Sequence, residues 1–281
     1  MALYQTEDTL LMRFIIHTAI LLSSFTVITS YASESNDNTT PSQKESADER
    51  GDNRAQLEPK GFLYGFGLGV SGEIYQGYDR RVIPLPIIGY RGDDFEVLGP
   101  FVSYDAYSVN DFDFKLKLAP RFQGYDEGDS DIFAGMEERD FSMDAGVGLG
   151  YERDNWKVDL SAMFDVLSKS KGQEISLQVG KVLRYGPVFF EPNVQVSFLD
   201  DKHVDYYYGV ALNEANESRN AFQGESATNY SLGFSVSTPI LFDGFTMLAI
   251  DYTWYDDAIT DSPLVDQDTN LNLRILYSSF F

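Results

Sequence analysis

The stretch HVDYYYGV, residues 203–210, places the one histidine outside the first twenty residues two positions before an aspartate and beside three tyrosines. On an extended strand alternate residues share a face, so His203 and Asp205 would stand side by side. Such a pair is the acid–base half of a hydrolytic dyad, provided a nucleophile or a bound water lies within hydrogen-bond reach. The plainer expectation is a surface histidine at a strand end. Tyr206 and Tyr208 would share a face and Tyr207 take the other. Their rings are apolar and their tips polar, which suits a membrane–water girdle, a loop anchor or a platform for a ligand ring such as a sugar. Ser262 in DSPLVD has no histidine close in sequence and no nucleophile elbow, so it reads as a turn before Pro263. The loop GYDEGDSDIFAGMEERD (124–140) clusters Asp126, Glu127, Asp129 and Asp131, without the spacing or closing glutamate of an EF-hand. It reads as a solvated acidic loop, with loose divalent-cation binding near lipopolysaccharide as the alternative. No phosphate-cradling glycine motif is followed by Lys-Ser/Thr. No cofactor is expected.

The elements that must hold these residues follow from composition. The 281 residues include no cysteine, so disulfides, thiolate chemistry and Cys-ligated zinc are excluded. A formal charge of −23 repels phosphate backbones, which excludes nucleic acid as a partner. Aromatics at 15% need a large surface to cover, either a soluble core or a lipid-facing wall. FIIHTAILLSSFTVIT (14–29) follows Arg13 and leads to Ser30-Tyr31-Ala32, the pattern of a cleaved secretory signal over 1–32. Glu7 and Asp8 do not suit a positive n-region, so Met12 is the better start. Residues 33–60 hold almost no large apolar side chain and are expected to be a disordered polar tail.

From residue 61 the pattern has period two. FDFKLKLAPRF sets Phe112, Phe114, Leu116 and Leu118 against Asp113, Lys115, Lys117 and Arg121. WKVDLSAMFDV sets Trp156, Val158, Leu160 and Phe164 against Lys157, Asp159 and Asp165. Strands of about ten residues with one apolar face fit an antiparallel transmembrane β-barrel over 61–281, apolar outward and polar toward the lumen. Lys115, Lys117, Arg121, Asp159 and Asp165 are the candidate lumen-lining residues. Long and short connectors alternate from residue 123 onward, which places long loops outside and short turns in the periplasm. The segment 95–109 is too long for one crossing and is broken at Gly99-Pro100, giving twelve strands, with ten as the alternative. A barrel protease could pair the His203–Asp205 dyad with Asp200, Asp201, Asp256 and Asp257 at the same rim, but acidic rims supply aspartates anywhere. The chain is read as a non-enzyme.

PLPIIGYRGD (84–93), LAPRF (118–122), GMEERD (135–140), YYYGV (206–210) and DSPLVD (261–266) stand in an order that resembles the MipA/OmpV family of outer-membrane proteins. The resemblance covers essentially 61–281; the tail and the early start depart from it. It implies a barrel in the Gram-negative outer membrane, in contact with lipid and lipopolysaccharide and inserted by the barrel-assembly machinery, with Phe281 as the terminal aromatic assembly signal. It also implies a scaffold that joins a murein lytic transglycosylase to a murein synthase. A narrow porin-like channel or an adhesion protein are the alternatives.

Overall fold

Period-two patterning becomes strand wherever apolar residues alternate with polar residues or glycine. The computed structural model describes residues 60–241 and 244–280. The expected signal segment, the tail up to residue 59 and Phe281 lie outside the described residues. Among the described residues the strands are β1 (Gly61–Gly72), β2 (Arg80–Arg91), β3 (Phe95–Leu98), β4 (Phe101–Val109), β5 (Phe112–Arg121), β6 (Ser142–Arg153) and β7 (Trp156–Asp165). They continue with β8 (Gln173–Lys181, extended by Leu183–Tyr185), β9 (Val188–Leu199), β10 (Ala227–Leu241), β11 (Gly244–Trp254) and β12 (Thr269–Phe280). Both pieces of β8 pair with β9, so they form one strand and the sheet has twelve. Every neighbour is antiparallel. β12 closes on β1 with Leu63 opposite Phe280 and Ser71 opposite Asn272.

Gly99 and Pro100 make the two-residue turn between Leu98 and Phe101, with Gly99 at φ +59°. That conformation at the first turn position is cheap only for glycine. The split expected there is therefore present, but β3 has only four residues. β2 pairs with β1 over its whole length and with β3 only over Gly89–Arg91. The wall has twelve strands near the short turns and a notch between β2 and β5 toward the long loops.

Outward positions are exposed and apolar, as at Phe66, Leu116, Leu160, Leu177, Leu232 and Leu273. The belt is framed by aromatics. Tyr252 and Trp254 lie 4.7 Å apart at the long-loop end. Phe112 packs on Tyr151 at 4.9 Å, and Lys181 sits 4.9 Å from the Trp156 ring, at the short-turn end. A closed ladder with an apolar exterior satisfies backbone groups internally, as a lipid environment demands.

At the other end the loops 73–79, 122–141, 200–226 and 255–268 fold together. Ile74, Tyr75, Tyr125, Phe133, Met136, Val204, Tyr207, Tyr208, Ile259 and Leu264 share one buried cluster. Tyr125 stacks on Phe133 at 3.9 Å, and Tyr75 stacks on Tyr208 at 5.5 Å. These loops are a second hydrophobic core, a cap over the barrel mouth.

Candidate functional site: the capped mouth and the paired lumen

The segment expected as a strand end is a helix, α1 (Asp201–Tyr208). The correction has a local cause. The Asp200 side chain accepts from the His203 N–H at 2.9 Å and from the Gln173 N–H at 3.0 Å, while Gly209 follows the last turn. An aspartate cap at the start, and a close approach at Gly209 where a Cβ would meet the Asp205 carbonyl at 2.2 Å, outweigh the β-preference of three tyrosines. At about 100° per residue the helix sends His203 and Asp205 roughly 200° apart. Asp205 is exposed and accepts from the Gly224 N–H at 2.9 Å. His203 is buried, not at the surface, and its Nε2 meets Gln123 Oε1 at 3.0 Å. Asp256 caps a second short helix, α2 (Asp257–Thr260), accepting from Ala258 N–H at 3.0 Å and Thr228 N–H at 2.9 Å. Asp201 and Asp257 are exposed. These groups organise backbone, and the dyad geometry is not formed.

The tyrosines lie away from the lipid boundary, in the cap. Tyr206 accepts from the Asp140 N–H at 3.0 Å. Tyr208 accepts from Gln123 Nε2 at 2.8 Å, which joins it to His203 through one amide. The Tyr207 ring is fully buried and its hydroxyl has no hydrogen-bond partner among the described residues. The carbonyls of Tyr207 and Tyr208 accept from Tyr75 at 3.2 Å and Ser262 at 2.6 Å. Ser262 also accepts from the Leu264 N–H, which makes it a turn residue that pins one loop to α1. Tyr207→Phe is expected to leave cap stability within about 0.5 kcal/mol, because no hydrogen bond is lost. Tyr208→Phe should cost about 1 kcal/mol by leaving Gln123 unmatched. Hydrogen exchange of residues 199–226 measures both.

Sequence reasoning missed the cap's ionic tie. Arg139 donates to both Glu214 oxygens at 3.0 and 2.8 Å, to the Tyr206 carbonyl at 2.8 Å and to the Glu137 carbonyl at 2.7 Å. Glu214 also accepts from the Glu137 and Ala211 N–H groups, at 2.9 and 3.0 Å. These hydrogen bonds hold its carboxyl below the usual range against the effect of burial. Arg219, wholly buried, donates to the carbonyls of Glu214, Ala134 and Ile132. The GMEERD stretch was a usable signal; its partner, 75 positions away, was not visible. In the acidic loop, Asp129 accepts from the Asp126 N–H at 3.0 Å and Glu127 from the Gly135 N–H at 3.3 Å. These two of the four acids serve the loop's own amides.

Burial, then the Arg121 charge, pushes the His203 imidazole well below its ordinary value of 6.5. The folded cap therefore holds it neutral, while an opened cap binds a proton near 6.5. Stability is full above that value and falls as the pH drops below it. The Glu214 carboxylate adds a loss below its ordinary 4.5, in the same direction. The cap's opening free energy, taken from exchange corrected for its intrinsic slowing in acid, is expected to fall from pH 7 to 5, and His203→Gln to flatten that change.

The inner face carries the other candidates. Lys117 bonds Asp159 at 2.8 Å by lying across β6, where Gly148 leaves room: a Cβ there would meet the lysine stem at 2.7 Å. Lys115 pairs with Asp105 at 3.4 Å. Arg121 holds both Asp144, through Nε at 2.7 Å, and Glu174, at 3.0 Å. Asp165 sits at the long-loop end of β7, where it accepts from the Leu167 and Lys171 N–H groups at 2.9 and 2.8 Å and from the hydroxyl of Ser142. It shapes the 166–172 turn.

The sequence matches the family described as MltA-interacting protein MipA over residues 64–280. It is 30% identical over 215 residues to the MltA-interacting protein of Escherichia coli (strain K12), covering 73% of this chain and 84% of that one. It is 27% identical over 208 residues to the putative outer membrane protein YiaT of the same strain, with the same coverage. Among solved structures, an outer-membrane channel of Pseudomonas putida F1 is similar with a TM-score of 0.38 at 9% identity, covering 79% of this chain and 96% of that one. With the family matched along nearly the whole barrel and its relatives named as outer-membrane proteins, this chain belongs to the MipA family of Gram-negative outer-membrane β-barrels.

Proposed function

We propose that this barrel is a structural docking protein. Its short-turn end would face the periplasm and hold murein-processing enzymes, a lytic transglycosylase and a murein synthase. The observation that carries the reading is the exposed charge of the short-turn end, where the ion pairs lie at the surface instead of within the lumen. The long-loop mouth is occupied by a folded cap, and Lys115, Lys117, Arg121 and Asp159 on the inner face are ion-paired. The short-turn end presents exposed Asp93, Asp94, Arg153, Asp154 and Arg184. One relative's name, MltA-interacting protein, supports the partner class. Lys60, pairing with Asp93, immediately precedes β1 at that same end, so a tail over 33–60 would emerge beside the turns. A cleaved signal over 1–32, and assembly through the terminal Phe281 by the barrel-assembly machinery, complete this reading. The outward belt contacts lipid, with lipopolysaccharide around the loops.

Pull-down of the detergent-solubilised full chain from native envelopes tests it. Capture of a transglycosylase or synthase that is lost when residues 92–94 and 153–155 are replaced is expected. Capture that survives replacement of every short turn and the tail overturns it. A narrow channel is the second reading, favoured by the charged inner face. Stepwise conductance in planar bilayers would support it; folded protein that leaves the bilayer silent would remove it.

A further inference from the structure

The notch in the wall has its own chemistry. Residues Arg80–Ile87 of β2 have a strand on one side only. Across the notch, Ala119–Arg121 of β5 pair with β6 alone. Directions of N–H and C=O alternate along a strand. The Ile88 carbonyl accepts from Gly99 N–H at 3.1 Å, on the β3 side. Positions 86, 84, 82 and 80 therefore point into the notch. Two of these four are prolines, so the edge offers four acceptors and only two donors.

The surroundings change with it. Around most of the inner face, charges are paired. Behind the notch, Ile87, Leu98, Phe101 and Phe122 form one apolar cluster with Leu85 packed against it. Outside, Val82 and Ile88 are exposed within the apolar belt. At the long-loop end of β2, Arg80 is exposed and in no ion pair among the described residues, while the neighbouring Arg81 turns inward. There it bonds Glu73 at 2.9 Å and the Gly124 carbonyl at 2.9 Å.

We propose that the notch between β2 and β5 is a docking groove for an anionic lipid of the outer leaflet whose acyl chains carry hydroxyl or amide donors, the chemistry of lipopolysaccharide. Three observations select this occupant. At this depth the medium is hydrocarbon, and an apolar cluster lies behind the opening. The edge is rich in acceptors, so it is matched by donors on the acyl chains; an added protein strand would want donors from Pro84 and Pro86 that do not exist. Arg80 stands where the anionic headgroup would be. An ester-linked phospholipid offers the charge and the chain but not the chain donors.

Native mass spectrometry of the folded, detergent-solubilised full chain tests the groove with two probes, bis-phosphorylated lipid A and phosphatidylglycerol. Wild type is expected to retain one lipid A and to prefer it over phosphatidylglycerol. Leu85→Trp fills the groove and should abolish retention. Arg80→Glu, at an exposed site that leaves folding intact, should weaken retention about tenfold, as for reversing a basic residue at an anionic surface. Heat-modifiable gel mobility confirms that each variant is folded. Three results would overturn the proposal: no lipid A retained by wild type, retention unchanged in folded Leu85→Trp and Arg80→Glu, or equal retention of both lipids.

Discussion

Arg121→Gln is expected to destabilise the barrel by about 3–5 kcal/mol, the range for breaking a buried ion pair from one side. Arg121, Asp144 and Glu174 are all largely shielded from solvent. Removing the guanidinium leaves two carboxylates facing one another on β6 and β8 with no cation between them. Lys117→Gln is the control. Its pair with Asp159 is wetter, with side chains 17% and 21% exposed, so its loss should cost about 1 kcal/mol or less. Urea unfolding in lipid vesicles, followed by tryptophan fluorescence, separates the two. Equal midpoint shifts would show that the triad is no more shielded than the surrounding lumen.

Arg139→Gln is expected to open the cap while leaving the barrel closed. The side chain makes four hydrogen bonds from loop 122–141 into the 200–226 segment and its own loop. Its partner Glu214 would keep two backbone donors but lose its only counter-charge among the described residues. A loss of about 3 kcal/mol of local stability follows. Exchange and protease cleavage should rise through 199–226 with heat-modifiable mobility intact. If instead the whole barrel unfolds at lower denaturant, cap and wall are one cooperative unit.

The wall was legible because lipid reverses the usual economy of burial. A strand exposed to hydrocarbon must be apolar on one face along its whole length, so period two runs without interruption through Phe112–Leu118 and Trp156–Phe164. Gly99-Pro100 could be read as a turn from the chemistry of those two residues. The notch beside it could not, since it depends on how far β3 runs along β2. The lumen residues were readable as a face, but their partners were not: Lys117 reaches Asp159 only because register places Gly148 between them. The largest error concerned 203–208. Tyrosine favours strands, and that preference obscured an aspartate cap at 200 and a glycine at 209. The 124–140 loop was read as solvated although it carries Phe133 and Met136, and the burial of Ile259 and Leu264 was not read at all. Apolar residues in a connector have to be buried somewhere, and four connectors at one end could bury them only in each other.

That shared burial sets an order of events in folding. Tyr75 bonds the Tyr207 carbonyl across 132 positions, and the Gln76 N–H meets the Leu264 carbonyl at 2.8 Å. The loops that carry these groups leave from opposite sides of the seam between β12 and β1. While that seam is open, their meeting requires closing a very long loop of chain for little return. Once it is zipped, the same groups are held within reach. Docking of the 73–79 loop onto the rest of the cap is therefore expected as the final kinetic phase. Protection of the Gln76 N–H, followed in time, becomes a clock for circularisation of the sheet: the other loops can gather first, and this last contact forms as the seam closes.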